Sequence, residues 1–124
     1  SVAREPADFE GTYDVKAAIF IHFDGTERPC TSRASIGYHT DASKPAADLW
    51  RKQYGAVFPF GFEPDNFTTN LSNYYGFRQV HAADGALVVE LGELTCPAQK
   101  AWLASRLQWE GEFIADFLTQ LLRQ

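Results

Sequence analysis

Two cysteines and three histidines are the residues of this 124-residue chain best equipped for chemistry. Cys96 stands in "TCPAQKAWL", where Pro97 marks a first helical turn and Thr95 or Cys96 the cap. A thiol there meets the positive end of the helix dipole, which lowers its pKa and favours the nucleophilic thiolate. A thiol enzyme using Cys96 is therefore one reading, and a small buried cap residue is the commoner use of such a cysteine. Cys30 falls on the core face of a strand. A Cys30–Cys96 disulfide would require Cα atoms within ~7 Å. Among the histidines, His22 and His39 lie toward opposite ends of one expected hairpin, ~20 Å apart at the rise of a strand. A metal site needs convergent ligands, so none is expected. His81 and Glu90 are diagonal neighbours on a second expected hairpin, as an acid–base pair or as a solvated contact. The chain lacks a glycine-rich phosphate loop, H-E-x-x-H, C-x-x-C and G-x-S-x-G. No catalytic residue and no cofactor are assigned.

The stretch "FPFGFEPDNFTTNLSNYYGF", residues 58–77, concentrates aromatic side chains between prolines and asparagines. Phe58, Phe60 and Phe62 alternate with Pro59, Gly61 and Glu63, so an extended chain projects the three rings from one side. Pro59 and Pro64 suit an outer strand or a loop. Phe58 and Phe62 are expected to close the core, and Phe60 and Tyr74 to be exposed. "DNFTTNLSN" reads as a polar turn. Aromatics beside adaptable polar groups are what protein interfaces use. The expected partner surface is thus Phe58, Phe60, Phe62, Asn66, Asn70, Tyr74 and Tyr75. The function expected is a small non-catalytic protein-binding domain: an inhibitor, an immunity-type neutraliser or an accessory subunit. The alternative is a domain that encloses a small apolar ligand among Phe20, Phe62, Tyr75 and Phe77.

The bulk properties agree with a small acidic domain. The formal net charge is -5 and the sequence pI about 5.1, which argues against binding duplex nucleic acid through a basic face. No apolar run approaches the ~18 residues of a membrane span. The chain holds no methionine and opens "SVAREPADF", without the apolar core of a signal peptide. The expected location is the cytoplasm, with secretion or periplasmic export left open. Asn66 and Asn70 each begin an Asn-x-Ser/Thr triplet, which matters only for a eukaryotic secreted protein. One domain over 1–124 is expected, with 1–10 loosely held.

These residues need elements to position them. "TYDVKAAIFIHF" alternates with period two and reads as a long half-buried strand. Asp24-Gly25 follows as a two-residue hairpin turn, pairing Ile19 with Cys30, Val15 with Ala34 and Tyr13 with Ile36. Ser43 to Gly55 reads as a short helix with Pro45 in its first turn. Asp84-Gly85 is the second hairpin turn, pairing Ala82 with Leu87 and Val80 with Val89, and setting Phe77 over Gly92. From Pro97 the apolar spacing continues as one long helix of up to ~26 residues, ~40 Å. It either bends at Gly111 or overhangs the sheet, and Trp109 then offers a homodimer surface. The fold expected is α+β: a two-layer sandwich whose antiparallel sheet of two β-hairpins, about 4–5 strands, is packed by one short helix and one long C-terminal helix.

Overall fold

The computed structural model describes residues 13–123, so the expected loose segment 1–10 lies outside the described residues. The protein is a mixed α+β molecule with two small sheets and four helices among the described residues. The first strands are β1 (Tyr13–Val15), β2 (Ala18–Asp24) and β3 (Ser35–Gly37). Helix α1 (Lys44–Val57) and the single turn α2 (Thr69–Ser72) come next, then β4 (Val80–Ala82) and β5 (Ala86–Glu93). Helices α3 (Pro97–Ala104) and α4 (Leu107–Leu122) complete the order.

Neither expected hairpin forms. β5 lies between β2 and β3, parallel to the former and antiparallel to the latter, and β1 runs parallel to β4. The composition of β5 explains its central place. "LVV" and "LGE" are buried on both faces, with only Ala86 and Glu90 partly accessible. A strand covered on both sides must be nearly continuous in apolar residues. The two Asp-Gly pairs do other work. Gly25 has no positive φ, so the type I′ hairpin turn, which needs φ above zero at both central residues, is not made. Asp24 instead accepts the Gly25 N–H on its own carboxylate at 2.8 Å. Gly85 does have φ +118°, but the chain does not reverse there. Ala83 N–H donates to Val15 O, Asp84 N–H to Lys16 O, and Ala18 N–H to Gly85 O at 3.1 Å. One parallel ladder therefore runs through the bend from β1–β4 into β2–β5.

Helices α1, α3 and α4 gather on one face of the three-stranded sheet. Leu87, Val89 and Leu91 of β5 and Ile36 of β3 share a buried cluster with Trp50 and Tyr54 of α1. Leu103 of α3 and Ile114, Phe117 and Leu121 of α4 complete it. Trp50 is fully buried, with its ring 5.0 Å from Tyr54 and 5.1 Å from Phe117. Helix α1 begins after Ser43 with Pro45 in its first turn, as expected, and runs two residues beyond Gly55. Ser43 sits at the cap position without capping; its hydroxyl accepts from Ala86 N–H at 3.1 Å and so ties α1 to β5.

The C-terminal region is two helices, not one. The break falls at Ser105 and Arg106, where Arg106 takes φ -130°, and not at Gly111. Leu103 must point at the sheet, where it packs against Gly92, while Phe113 and Phe117 must meet Trp50. One straight rod does not serve both. The corner is held by Trp102 against Trp109, centroids 5.9 Å apart, and by the Arg106 guanidinium 4.6 Å over the Trp102 ring. The single overhanging helix expected is thus not what the chain builds.

Candidate functional site

The structure divides the seven expected partner-binding residues between two sides of the sheet. Phe58 is 3% exposed, stacked on Tyr54 and edge-on to Trp102. Phe62 packs edge-on to Tyr54 under the Arg51 guanidinium. Both close the core, as expected. Phe60 is drawn in with them, 5.4 Å from Phe58, because the positive φ of +90° at Gly61 breaks the extended run. The three rings thus form no ridge. Asn66 is structural: its side-chain oxygen accepts Tyr38 N–H at 2.8 Å, and its own N–H donates to Ile36 O. With the Glu63 N–H bonded to Ala34 O, and a parallel bridge between Ala34 and Phe62, residues 62–66 cover the outer edge of β3.

Asn70, Tyr74 and Tyr75 lie on the segment that crosses the opposite face. Leu71 sits against Gly37 so closely that a Cβ there would meet it at 2.6 Å, and Gly76 presses on Phe20. Phe77 and Tyr74 close over Phe20 at 5.9 and 5.0 Å. The segment's outer surface carries Phe67, 40% exposed, and Tyr75, 41% exposed, with Thr68, Asn70 and Asn73 also exposed. The four residues expected to enclose an apolar ligand are separated: Phe62 sits beside α1, while Phe20 and Phe77 fill each other's space. An open groove of about 740 Å³ is lined by Val15, Phe77, Val80 and Ala86, with His39 and His81. His81 faces Asp14 at 3.2 Å, both highly exposed, and not Glu90.

Beneath the aromatic segment is a polar cluster that only the parallel ladder could reveal. His22 pairs in register with Glu90, and its Nε2 lies 2.8 Å from the Tyr74 hydroxyl. Burial lowers the His22 pKa. Burial, and then the hydroxyl and charge of Tyr75, raise that of Tyr74. Burial first, and then the charge of Asp24, push the Glu90 carboxyl up to about 7, against the Ser35 hydroxyl, which favours the charged form. The sequence signal for this site was present in His22 and Glu90, but a hairpin reading sends them to different partners.

The cysteines form a disulfide, with Cα atoms 4.5 Å apart across 66 residues of chain. No thiol remains for catalysis, so the Cys96 enzyme is overturned. Behind the bond is Glu93, fully buried. Its carboxylate accepts Cys30, Thr31 and Ser32 N–H groups and the Thr26 hydroxyl. Burial alone would raise its pKa, but the Cys30 and Ser32 N–H groups and the Thr95 and Thr26 hydroxyls hold it below the ordinary value. Gln99 completes the corner, accepting Glu93 N–H and donating to Ser32 O, both at 2.8 Å. Cys30, Cys96 and Glu93 place ligand-type atoms within 4.8 Å of one another, but the sulfurs are bonded to each other and the carboxylate is saturated by donors, so the corner is a structural clasp. Among the described residues no helix is long and apolar enough to cross a membrane. Comparison of the chain with protein-family models, with curated proteins and with solved structures gives no match.

Proposed function

We propose that the protein is a small non-catalytic protein-binding domain, in an inhibitory, immunity-type or accessory-subunit role, and that its partner docks on the outer surface of residues 67–78. One observation carries the reading. The second face of the sheet is roofed by a single irregular segment that leaves Phe67 and Tyr75 40% and 41% exposed among Thr68, Asn70 and Asn73. A buried aromatic stabilises by ~1.5–3 kcal/mol, and large rings beside adaptable polar groups are the usual anchors of an interface. The binding surface moves accordingly from Phe58, Phe60 and Phe62 to Phe67, Asn70, Tyr74 and Tyr75. The disulfide favours an oxidising compartment over the cytoplasm.

The test uses a photo-crosslinking residue at position 75, with one at the exposed Lys52 of α1 as the control. In extract of the source organism, position 75 should label one dominant protein and position 52 should not. Phe67→Ala with Tyr75→Ala should weaken that complex by about tenfold or more and leave Tm nearly unchanged. Equal labelling from both positions, or a large fall in Tm with capture intact, overturns the proposal.

A further inference from the structure

The two edges of the three-stranded sheet are treated differently. Residues 62–66 cover the β3 edge. Among the described residues no strand covers the β2 edge. β2 reads "AIFIHFD", seven residues without proline, glycine or lysine, where exposed edge strands are ordinarily short, charged or interrupted. Its side chains Ile21 and Phe23 are 49% and 38% exposed.

The backbone groups on that edge can be assigned. Ala18 N–H donates to Gly85 O, and Asp24 O accepts from Leu94 N–H at 2.8 Å. Alternate residues of a strand turn to opposite sides, so Ala18, Phe20, His22 and Asp24 turn toward β5. Ile19, Ile21 and Phe23 therefore turn their N–H and C=O groups outward. Of these, Ile21 and Phe23 have exposed side chains, and Ile19 is half-buried against the core. The strand ends differ in charge, with exposed Lys16 just before β2 and Asp24 at its close.

We infer that a second copy of this chain occupies the β2 edge, antiparallel, about a two-fold axis at Ile21. In that register Ile21 faces Ile21 of the partner subunit as a hydrogen-bonded pair, and Ile19 faces the partner's Phe23. Every outward N–H and C=O of Ile19, Ile21 and Phe23 gains a partner, and this apolar row continues without interruption across the axis. The antiparallel sense brings the Lys16 end of one chain to the Asp24 end of the other, whereas a parallel pairing sets like charge on like. A two-fold contact of this kind is self-complementary and closes at two chains, so the edge is protected without a filament. It makes one continuous six-stranded sheet from the two three-stranded ones. Residues 67–78 pack on the Phe20 and His22 side chains of the same strand, but the contact uses the backbone edge of β2 and goes beyond the proposed function.

The test is the association state and the register. Sedimentation of the full chain over a concentration series should show a monomer–dimer equilibrium, which Ile21→Lys abolishes. Residues of a hydrogen-bonded antiparallel pair have Cα atoms ~5.5 Å apart, within disulfide reach. The Ile21→Cys chain should thus link to itself under mild oxidation. The Phe23→Cys chain should not, since its two copies stand about four residues, ~13 Å, apart along the strand. If Ile21→Lys fails to fold, the linking pattern decides. A monomer at every concentration, or a dimer in which Phe23→Cys links as readily as Ile21→Cys, overturns the inference. Either result would leave the edge to another occupant.

Discussion

At the scale of single residues, burial and hydrogen bonding sort the acids more sharply than charge content does. Glu93 and Glu110 are both buried, yet burial raises Glu110, which has only the Tyr54 hydroxyl to oppose it, while the N–H cage lowers Glu93. Tyr54 lies 2.8 Å from both Leu91 O and a Glu110 oxygen. A hydroxyl has one hydrogen, so a protonated Glu110 donating to Tyr54 lets Tyr54 donate to Leu91. A carboxyl whose folded pKa is raised holds its full stabilisation below its unfolded value of about 4.3 and loses it as pH rises through the folded value. Glu110→Gln, which keeps a donor toward Tyr54 and removes the charge, should therefore raise stability by about 1 kcal/mol at pH 8 and make little difference at pH 4. Thermal denaturation at the two pH values measures it; a destabilised variant at pH 8 would refute the shared-proton account. None of this was legible in "WEGEF", because the residue that decides Glu110 is Tyr54, 56 positions away.

At the scale of elements, the local signals were sound wherever the answer was local. Pro45 and Pro97 each start a helix, and the period-two alternation from Tyr13 marks extended chain, which the structure breaks at Lys16 and Ala17 into β1 and β2. The errors came from using a local signal to choose a distant partner. Asp24-Gly25 and Asp84-Gly85 are the right residues for a turn and are used for a loop entrance and a strand bend. The expected pairing of Val80 with Val89 gave way to Tyr13 with Val80 and Ile21 with Val89. Gly111 was likewise a fair place to bend a helix, but its surroundings are empty and it sits within α4. A glycine in an exposed helix interior weakens the helix, so Gly111→Ala should stabilise by about 0.5–1 kcal/mol. Urea denaturation should show a higher midpoint with an unchanged slope; a loss of stability would mean that a kink is needed there.

At the scale of the whole molecule, the Cys30–Cys96 bond ties the loop after β2 to the start of α3, across 66 residues. Closing a loop of that length removes unfolded-state entropy worth about 4 kcal/mol. The double variant Cys30→Ser with Cys96→Ser should lower Tm by roughly 15 °C. Calorimetry checks this, and a change of only a few degrees would show that the Glu93 cage holds the corner unaided. The sequence by itself determined the class of the fold, the helix starts, the closing role of Phe58 and Phe62, and the absence of a long apolar span among the elements. Those follow from composition and from patterns within one turn or one strand. Only the tertiary structure decided strand order, the cysteine pairing, the loss of the Phe60 ridge and the meeting of His22 with Glu90. Strand order and the meeting of His22 with Glu90 depend on which apolar strand is buried on both sides. β5 can satisfy that demand and the outer strands cannot, so it took the centre and set every partner around it.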